Sequence, residues 1–417
     1  MEKSGKFRLT SLERNWILYD VGNSAFVLMV ATLIPIFFNA LAEAGGLSSV
    51  EYLAYWGYAS SAVTVVTAVL SPILGTVADT KGFKKPIFIL CVFVGIVGCC
   101  AMGAASAWLP FLVIFVIAKV GFSGSLVFYD SMLSDVTTPE RMDEVSSRGY
   151  AWGYIGSCVP FVICLGLVLG AGSIGISQMT ALNLALLLTA AWWLLTTLPL
   201  LKSYKQLYYV EVEKHAVRQS FARIGHTLRH LPEDKQVLWF LLAFFCYIDG
   251  VYTIIDMATA YGTALGLDTT GLLLALLVTQ IVAFPSALIF GRLSNKYPSA
   301  KLIPVCIAAY AGIAVFAFFL TQQWQFWVLA VIVGMFQGGV QALSRSHFAK
   351  IIPPEKSGEY FGLFDICGKG ASFLGTMIVS VGSQLTGSAN VGVGSLIVLF
   401  IVGFVLFRVS CRQGETA

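Results

Sequence analysis

The sequence predicts an all-α membrane protein of twelve transmembrane helices arranged as two pseudo-symmetric six-helix bundles. Composition, the number of long apolar runs and an internal repeat carry that reading. Of 417 residues, 57% are apolar and 12% charged, and mean hydropathy is +0.81. An ordinary soluble domain carries about twice that charged share.

Crossing a ~30 Å hydrocarbon layer takes about 20 apolar residues, and twelve runs satisfy this: 15–41, 52–78, 87–106, 109–134, 149–171, 179–200, 237–262, 270–293, 301–321, 324–349, 359–385 and 390–409. They are long and continuously apolar, which fits helices and not the short alternating strands of a barrel. Lysine and arginine occupy the N-terminus and then every second loop, at Lys81, Lys84 and Lys85, at Arg141 and Arg148, between Lys202 and Lys235, at Arg292, Lys296 and Lys301, at Lys350 and Lys356, and at Arg408 and Arg412. By the positive-inside rule both termini are cytoplasmic, as an even span number requires. The net charge of +4 is thus a topology signal and not a nucleic-acid patch. The polar N-terminus and the length of the first run argue against a cleaved leader. Eight of nine cysteines fall inside spans without metal-ligand spacing and read as packing residues.

The repeat is visible as text. "GTVADTKGFKKP" (75–86) follows the second span and "GRLSNKYPSAKL" (291–302) the eighth, offset by 216; "PER" (139–141) and "PEK" (354–356) recur at 215. A six-span unit duplicated in parallel explains both. The expected units are 1–200 and 237–417, joined by a polar linker, 201–236. Within the linker Val217, Phe221, Ile224, Leu228 and Leu231 form one helical stripe, suiting either a surface amphipathic helix on the cytoplasmic leaflet or a helix packed on the protein.

Gly75, Asp79, Gly82, Lys84 and Lys85 spell G-x-x-x-D-x-x-G-x-K-K after the second span, which resembles the signature loop of the major facilitator superfamily. The resemblance implies that fold, with Asp79 latching neighbouring helix ends in the outward-open state. The second copy has Asn295 in place of the acid and Pro298 in place of the glycine, so a weaker latch is expected there. "YDVGNSAF" (19–26), "YIDGVYTI" (247–254) with "MATAYG" (257–262), and "GGVQALSRSHFAKIIPPEKSGEYFG" (338–362) resemble the vacuole effluxer branch related to autophagy-related protein 22, a branch associated with amino-acid export. "GAGSIG" (170–175) fits a dinucleotide fingerprint but ends a span with no strand before it. "GLFDICGKG" (362–370) lacks the spacing and hydroxyl of a phosphate loop. No metal or catalytic constellation is present, so the chain reads as a non-enzyme without cofactor.

Charges within the bilayer cost roughly 2.5 kcal/mol or more and face interiors or pathways. Asp20 and Asn23 lie on span one, Lys119 and Asp130 on span four, Asp249, Tyr252 and Asp256 on span seven, Gln337, Gln341 and Arg345 on span ten, and Asp365 and Lys369 on span eleven. In the superfamily's architecture spans one, four, seven and ten line the cavity, so Asp20, Asn23, Lys119, Asp249, Tyr252, Gln337 and Gln341 are candidates for substrate or proton binding, joined by Lys369 at mid-depth on span eleven. Asp249 and Lys369 also suit a fixed ion pair, and Asp256, nearer the outer interface, is the weaker candidate. Gly75, Asp79, Gly82, Lys85, Asp130, Arg345 and Asp365 are candidates for gating. The resulting expectation is a monomeric secondary transporter in the inner membrane, exporting or exchanging amino acids or similar small zwitterions, with protons as candidate coupling ions. Its alternatives are an amphiphile or lysolipid transporter and a membrane receptor on the same fold.

Overall fold

The computed structural model describes residues 7–211, 225, 227 and 229–416. Its helices, in chain order, are α1 Ser11–Ala31, α2 Leu33–Ala44, α3 Ser49–Ala78, α4 Lys84–Gly103, α5 Trp108–Ser131, α6 Leu133–Val136, α7 Met142–Leu169 and α8 Gln178–Ser203, then α9 Lys235–Ala264, α10 Thr269–Leu293, α11 Ser299–Phe318, α12 Gln323–Ile351, α13 Ser357–Thr386, α14 Ala389–Gly394 and α15 Ile397–Thr416. Each of the twelve expected spans falls on one of these helices or on a broken pair. Among the described residues, eleven helical segments are long and apolar enough to cross a membrane. The remaining long helix, α13, carries Glu359, Asp365 and Lys369.

Local chemistry sets the ends. Thr10 caps α1 in a capping box with Glu13, and Ser48 caps α3 with Glu51, so the first free N–H groups of each helix are satisfied as the chain enters it. The first span is broken where the sequence predicts a continuous run. Thr32 adopts φ −131°, ψ −74°, its hydroxyl donates to the Leu28 carbonyl at 2.5 Å, and Pro35 supplies no N–H to Ala31; a proline plus an inserted side chain is a sufficient cause of such a break. Gly387 ends α13 in the left-handed conformation at φ 69°, and the twelfth span is then built from α14 and α15.

The first bundle packs α1 on α7 and α8, and α4 on α5; the second packs α9 on α15 and α13, and α10 on α12. Between bundles, α3 lies against α13 and α7 against α10. The first crossing is made by backbone. A Cβ on Gly75 would lie 2.2 Å from the Gly358 carbonyl oxygen, and one on Gly362 2.6 Å from Pro72 Cα. At the repeat-related crossing, Gly291 meets the side chain of Ser147, so side-chain atoms separate those helices.

The linker begins with a feature the sequence does not announce. Its first residues, 204–211, form an extended strap along the loop after α3, with a parallel bridge between Thr80 and Val210. Val210 N–H donates to the Asp79 carbonyl at 2.8 Å and Lys81 N–H to the Val210 carbonyl at 3.3 Å. The stripe from Val217 to Leu228 lies outside the described residues.

Candidate functional site

Hydrogen bonds and ion pairs between the bundles concentrate at the end that carries the lysine- and arginine-rich loops, reaching inward to about mid-depth. Asp79, the residue that caps the C-terminal end of α3, is fully buried and accepts from Gly358 N–H at 2.7 Å and Glu359 N–H at 2.8 Å. Those are free donors of the first turn of α13, where the helix dipole also favours an anion. Lys84, also fully buried, reaches Ser357 Oγ at 2.9 Å, Asp135 at 3.4 Å and Asp79 at 3.8 Å. Burial pushes the Asp79 carboxyl up to about 7, against the opposing pull of Lys84 and the two N–H donors. Of the two adjacent lysines, Lys84 makes the contact across the bundles; Lys85, the expected gate residue, donates to the Tyr204 carbonyl at 3.5 Å. Gly82 is exposed with φ 79° and turns the loop at an angle that suits glycine.

The repeat-related latch has reversed polarity. Asn295, at the position of Asp79, donates its amide to Glu144 at 2.9 Å in the first turn of α7. An amide–carboxylate bond stands here in place of two backbone donors on one carboxylate. Beside it Asp143 accepts from Lys350 at 2.6 Å and from Ser346 Oγ at 2.6 Å.

Deeper, Arg345 on α12 is 2% exposed. Its Nη1 lies 3.0 Å from Asp130 and 3.7 Å from Asp20. Nε donates to Ser146 Oγ at 2.9 Å and Nη2 to the Ser146 carbonyl at 3.0 Å. The guanidinium lies over the rings of Tyr150, Trp16 and Tyr129, 4.3, 4.7 and 5.4 Å from their centroids, as weakly hydrated arginine favours. Asp130 and Arg345 are 215 residues apart, the offset of the "PER"/"PEK" echo, so each is the other's repeat partner. Their ion pair therefore straddles the pseudo-two-fold axis. One guanidinium faces two carboxylates here. Asp365 accepts from Ser71 Oγ at 2.7 Å on the neighbouring α3–α13 crossing. Asn23 donates back to its own helix at the Tyr19 carbonyl, 3.1 Å, and is 2% exposed.

Above this gate, among the described residues, the polar contacts between the bundles thin out to a single bond. Tyr154 donates to Gln341 Oε1 at 3.2 Å, while Gln337 is buried with its Oε1 unpartnered among the described residues. Tyr252, one turn beyond Asp249 on α9, is half-buried. Further along α9, Asp256 is accessible, and the charged group acting on it is Lys119 of the other bundle. Lys119 is half-buried, with its ammonium 4.7 Å from the Phe122 ring centroid and 5.9 Å from that of Phe26.

Asp249 does not join this group. It is fully buried and accepts from Gly375 N–H at 2.9 Å and Thr253 Oγ1 at 3.3 Å, so it faces the backbone of α13. Helical phase puts Asp249 and Asp256 on one face, but at the depth of Asp249 that face is covered. Gly375 makes the close approach: a Cβ there would lie 2.6 Å from the carboxylate. The side chain of Lys369, its expected partner, lies outside the described residues. Sequence reasoning also missed Ser146, Asp135 and the aromatic box around Arg345. The "RxxxxSS" context of Ser146 carries no recognisable signal, whereas Asp135 could have been found as a second acid beside the "PER" loop.

Two six-helix bundles bonded to each other at the basic end, with buried charges paired across them, define a multi-pass transporter of the major facilitator type. The chain belongs to the vacuole effluxer Atg22-like family, whose model matches residues 11–142 and 134–416. It is 42% identical over 414 residues to the uncharacterized MFS-type transporter YxiO of Bacillus subtilis (strain 168), covering 98% of this chain and 97% of that one. Autophagy-related protein 22 of Coccidioides immitis is 25% identical over 315 residues, 65% of this chain and 51% of the fungal one; the chain thus spans about half the length of that fungal relative. Among solved structures, the human organic anion transporter MFSD10 superposes with TM-score 0.72 at 15% identity, over 95% of this chain and 98% of that one, a likeness of fold.

Proposed function

We propose that this transporter moves small zwitterions, amino acids above all, exporting or exchanging them by alternating access with protons as the coupling ion. The observation that carries the reading is Lys119 opposite Asp256, contributed by different bundles on the accessible side of the closed gate. An ammonium on one wall and a carboxylate on the other match the two ends of an amino acid, and in the empty site each charge acts on the other. Below them, two carboxylates share one guanidinium. That leaves a negative charge which a proton can neutralise when the gate forms, and release when it opens.

In this reading residues 1–200 and 237–417 rock about the chamber as two bodies joined by 201–236. The basic end, closed here, is cytoplasmic with both termini, the membrane is the cell's inner membrane, and the unit is a monomer. The chain performs no covalent chemistry on its substrate.

Counterflow of radiolabelled amino acids into proteoliposomes tests this. Lys119→Gln and Asp256→Asn each lower saturable exchange about tenfold or more, since each removes the charge that holds one end of the zwitterion. Asp249→Asn, which retains an acceptor for Gly375, stays within about threefold of wild type. Wild-type exchange by both chamber variants sinks the zwitterion site, and exchange of lysolipids in place of amino acids transfers the assignment to an amphiphile carrier.

A further inference from the structure

The strap formed by residues 204–211 leaves an unusual corner beside the latch. Strap and loop are tied at many points. Asp135 accepts from Tyr204 Oη at 2.6 Å and from Leu207 and Tyr208 N–H at 2.9 Å each. Gln206 donates to the Ala78 carbonyl at 3.1 Å and accepts from Gly82 N–H at 3.0 Å. These bonds turn polar backbone inward and push apolar side chains out: Leu207 is 61% exposed, Phe83 43% and Tyr208 40%. Around them stand Lys81, Lys202 and Lys205, all exposed, and half-buried Lys85. Among the described residues, the surface carboxylate that offsets them is Glu211, 3.5 Å from Lys81, because Asp79 and Asp135 are buried and engaged with Lys84.

Exposed leucine and aromatic rings ringed by lysines, at the end of a transmembrane span, match a bilayer interface: apolar groups enter the headgroup boundary while ammonium groups reach phosphates. The corner lies at the basic end, which the positive-inside rule puts at the cytoplasmic leaflet, where anionic lipid is the available polyanion.

We propose that this corner is a binding site for an anionic phospholipid headgroup of the cytoplasmic leaflet, held by Lys81, Lys202 and Lys205 around Phe83, Leu207 and Tyr208. Occupancy reports to the gate through a short chain of contacts. The headgroup fixes the strap, the strap fixes Asp135 and the 79–82 loop, and Lys84 and Asp79 carry that constraint to the first turn of α13. Bound lipid therefore favours closure of the basic end. This assignment is independent of the transported solute.

The test uses the full chain in detergent, titrated by native mass spectrometry with phosphatidylglycerol, phosphatidylcholine and glycerol 3-phosphate. The expected result is tighter binding of phosphatidylglycerol than of phosphatidylcholine, weakened about thirtyfold in Lys202→Gln/Lys205→Gln, with glycerol 3-phosphate not binding. Equal affinity for the two lipids, an unchanged double variant, or full-strength binding of glycerol 3-phosphate overturns the proposal. A second variant tests the connection to the gate. Tyr204→Phe removes one of the three bonds from strap to Asp135, so in nanodiscs it keeps phosphatidylglycerol binding but weakens the lipid's effect on the distance between spin labels across the basic end. A wild-type lipid effect in Tyr204→Phe overturns the proposed route.

Discussion

Gly75→Ala adds one methyl group where two helices from different bundles touch by backbone. The added Cβ would lie 2.2 Å from the Gly358 carbonyl oxygen, whereas carbon and oxygen in favourable contact stand about 3.3 Å apart. α3 and α13 must therefore separate by about 1 Å, and no flexible side chain is present to yield in their place. That shift stretches the two bonds from Gly358 and Glu359 to Asp79, now 2.7 and 2.8 Å, past useful length. Bonds to a charged acceptor are worth about 1.5–3 kcal/mol each, and absorbing the methyl group without separation costs about 1–3 kcal/mol. Either route destabilises the closed basic end by about 2 kcal/mol, a shift of about thirtyfold toward the open form. The assay is a spin-label distance between Glu140→Cys and Tyr297→Cys, exposed positions on basic-end loops of the two bundles. The variant should populate a longer distance at the expense of the wild-type one. Gly166→Ala, where nothing lies within 4 Å of the new Cβ, should not. An unchanged distribution in Gly75→Ala refutes the claim that backbone contact sets the seal.

The same label pair reads two further predictions. Arg345→Asp places three carboxylates together and opens the basic end, breaking a buried pair worth about 3–5 kcal/mol; the exchange Asp130→Arg/Arg345→Asp restores closure in part, because the two positions are repeat partners, though the bonds to Ser146 are lost. A double variant as open as Arg345→Asp alone contradicts the axial placement. For pH, Asp79 titrates near 7 when buried in the closed latch and near the ordinary aspartate value when released into water. The state with the higher value binds the proton more tightly, so acid favours closure. This contribution is full below about pH 4, declines between about pH 4 and 7, and is absent above that. Asp79→Asn should flatten that component of the pH profile, and an unchanged slope between pH 5 and 7 speaks against it.

Much of this architecture is legible in the residues because a bilayer enforces it: a span must be long, apolar and helical, so twelve runs and a 215- to 216-residue echo suffice to find twelve helices in two bundles. The Asp79 loop is legible for a similar reason, since its glycines and acid recur as text. The site is harder. Periodicity states which face a residue occupies but not what covers that face at each depth, which is why Asp249 and Asp256 look alike in sequence and differ in place. Lys84 and Lys85 are separated only by the angle at which α4 leaves its loop, which no spacing rule supplies. The strap is silent in sequence because its order comes from backbone groups bonded to Asp135 and Gln206, distant in the chain and without period.

The Asp130–Arg345 pair has a consequence for how such a chain came to be assembled. In a symmetric dimer of the ancestral six-span unit, a residue beside the two-fold axis meets its own copy, acid against acid or base against base. Opposite charges at that position require that the two copies differ, as the two halves of this duplicated chain do. Once they diverged, two amino-terminal halves meeting at this seam would repel, while one of each kind attract. The central ion pair is thus also a record of asymmetry, marking the step at which a self-pairing module became one that recognises only its counterpart.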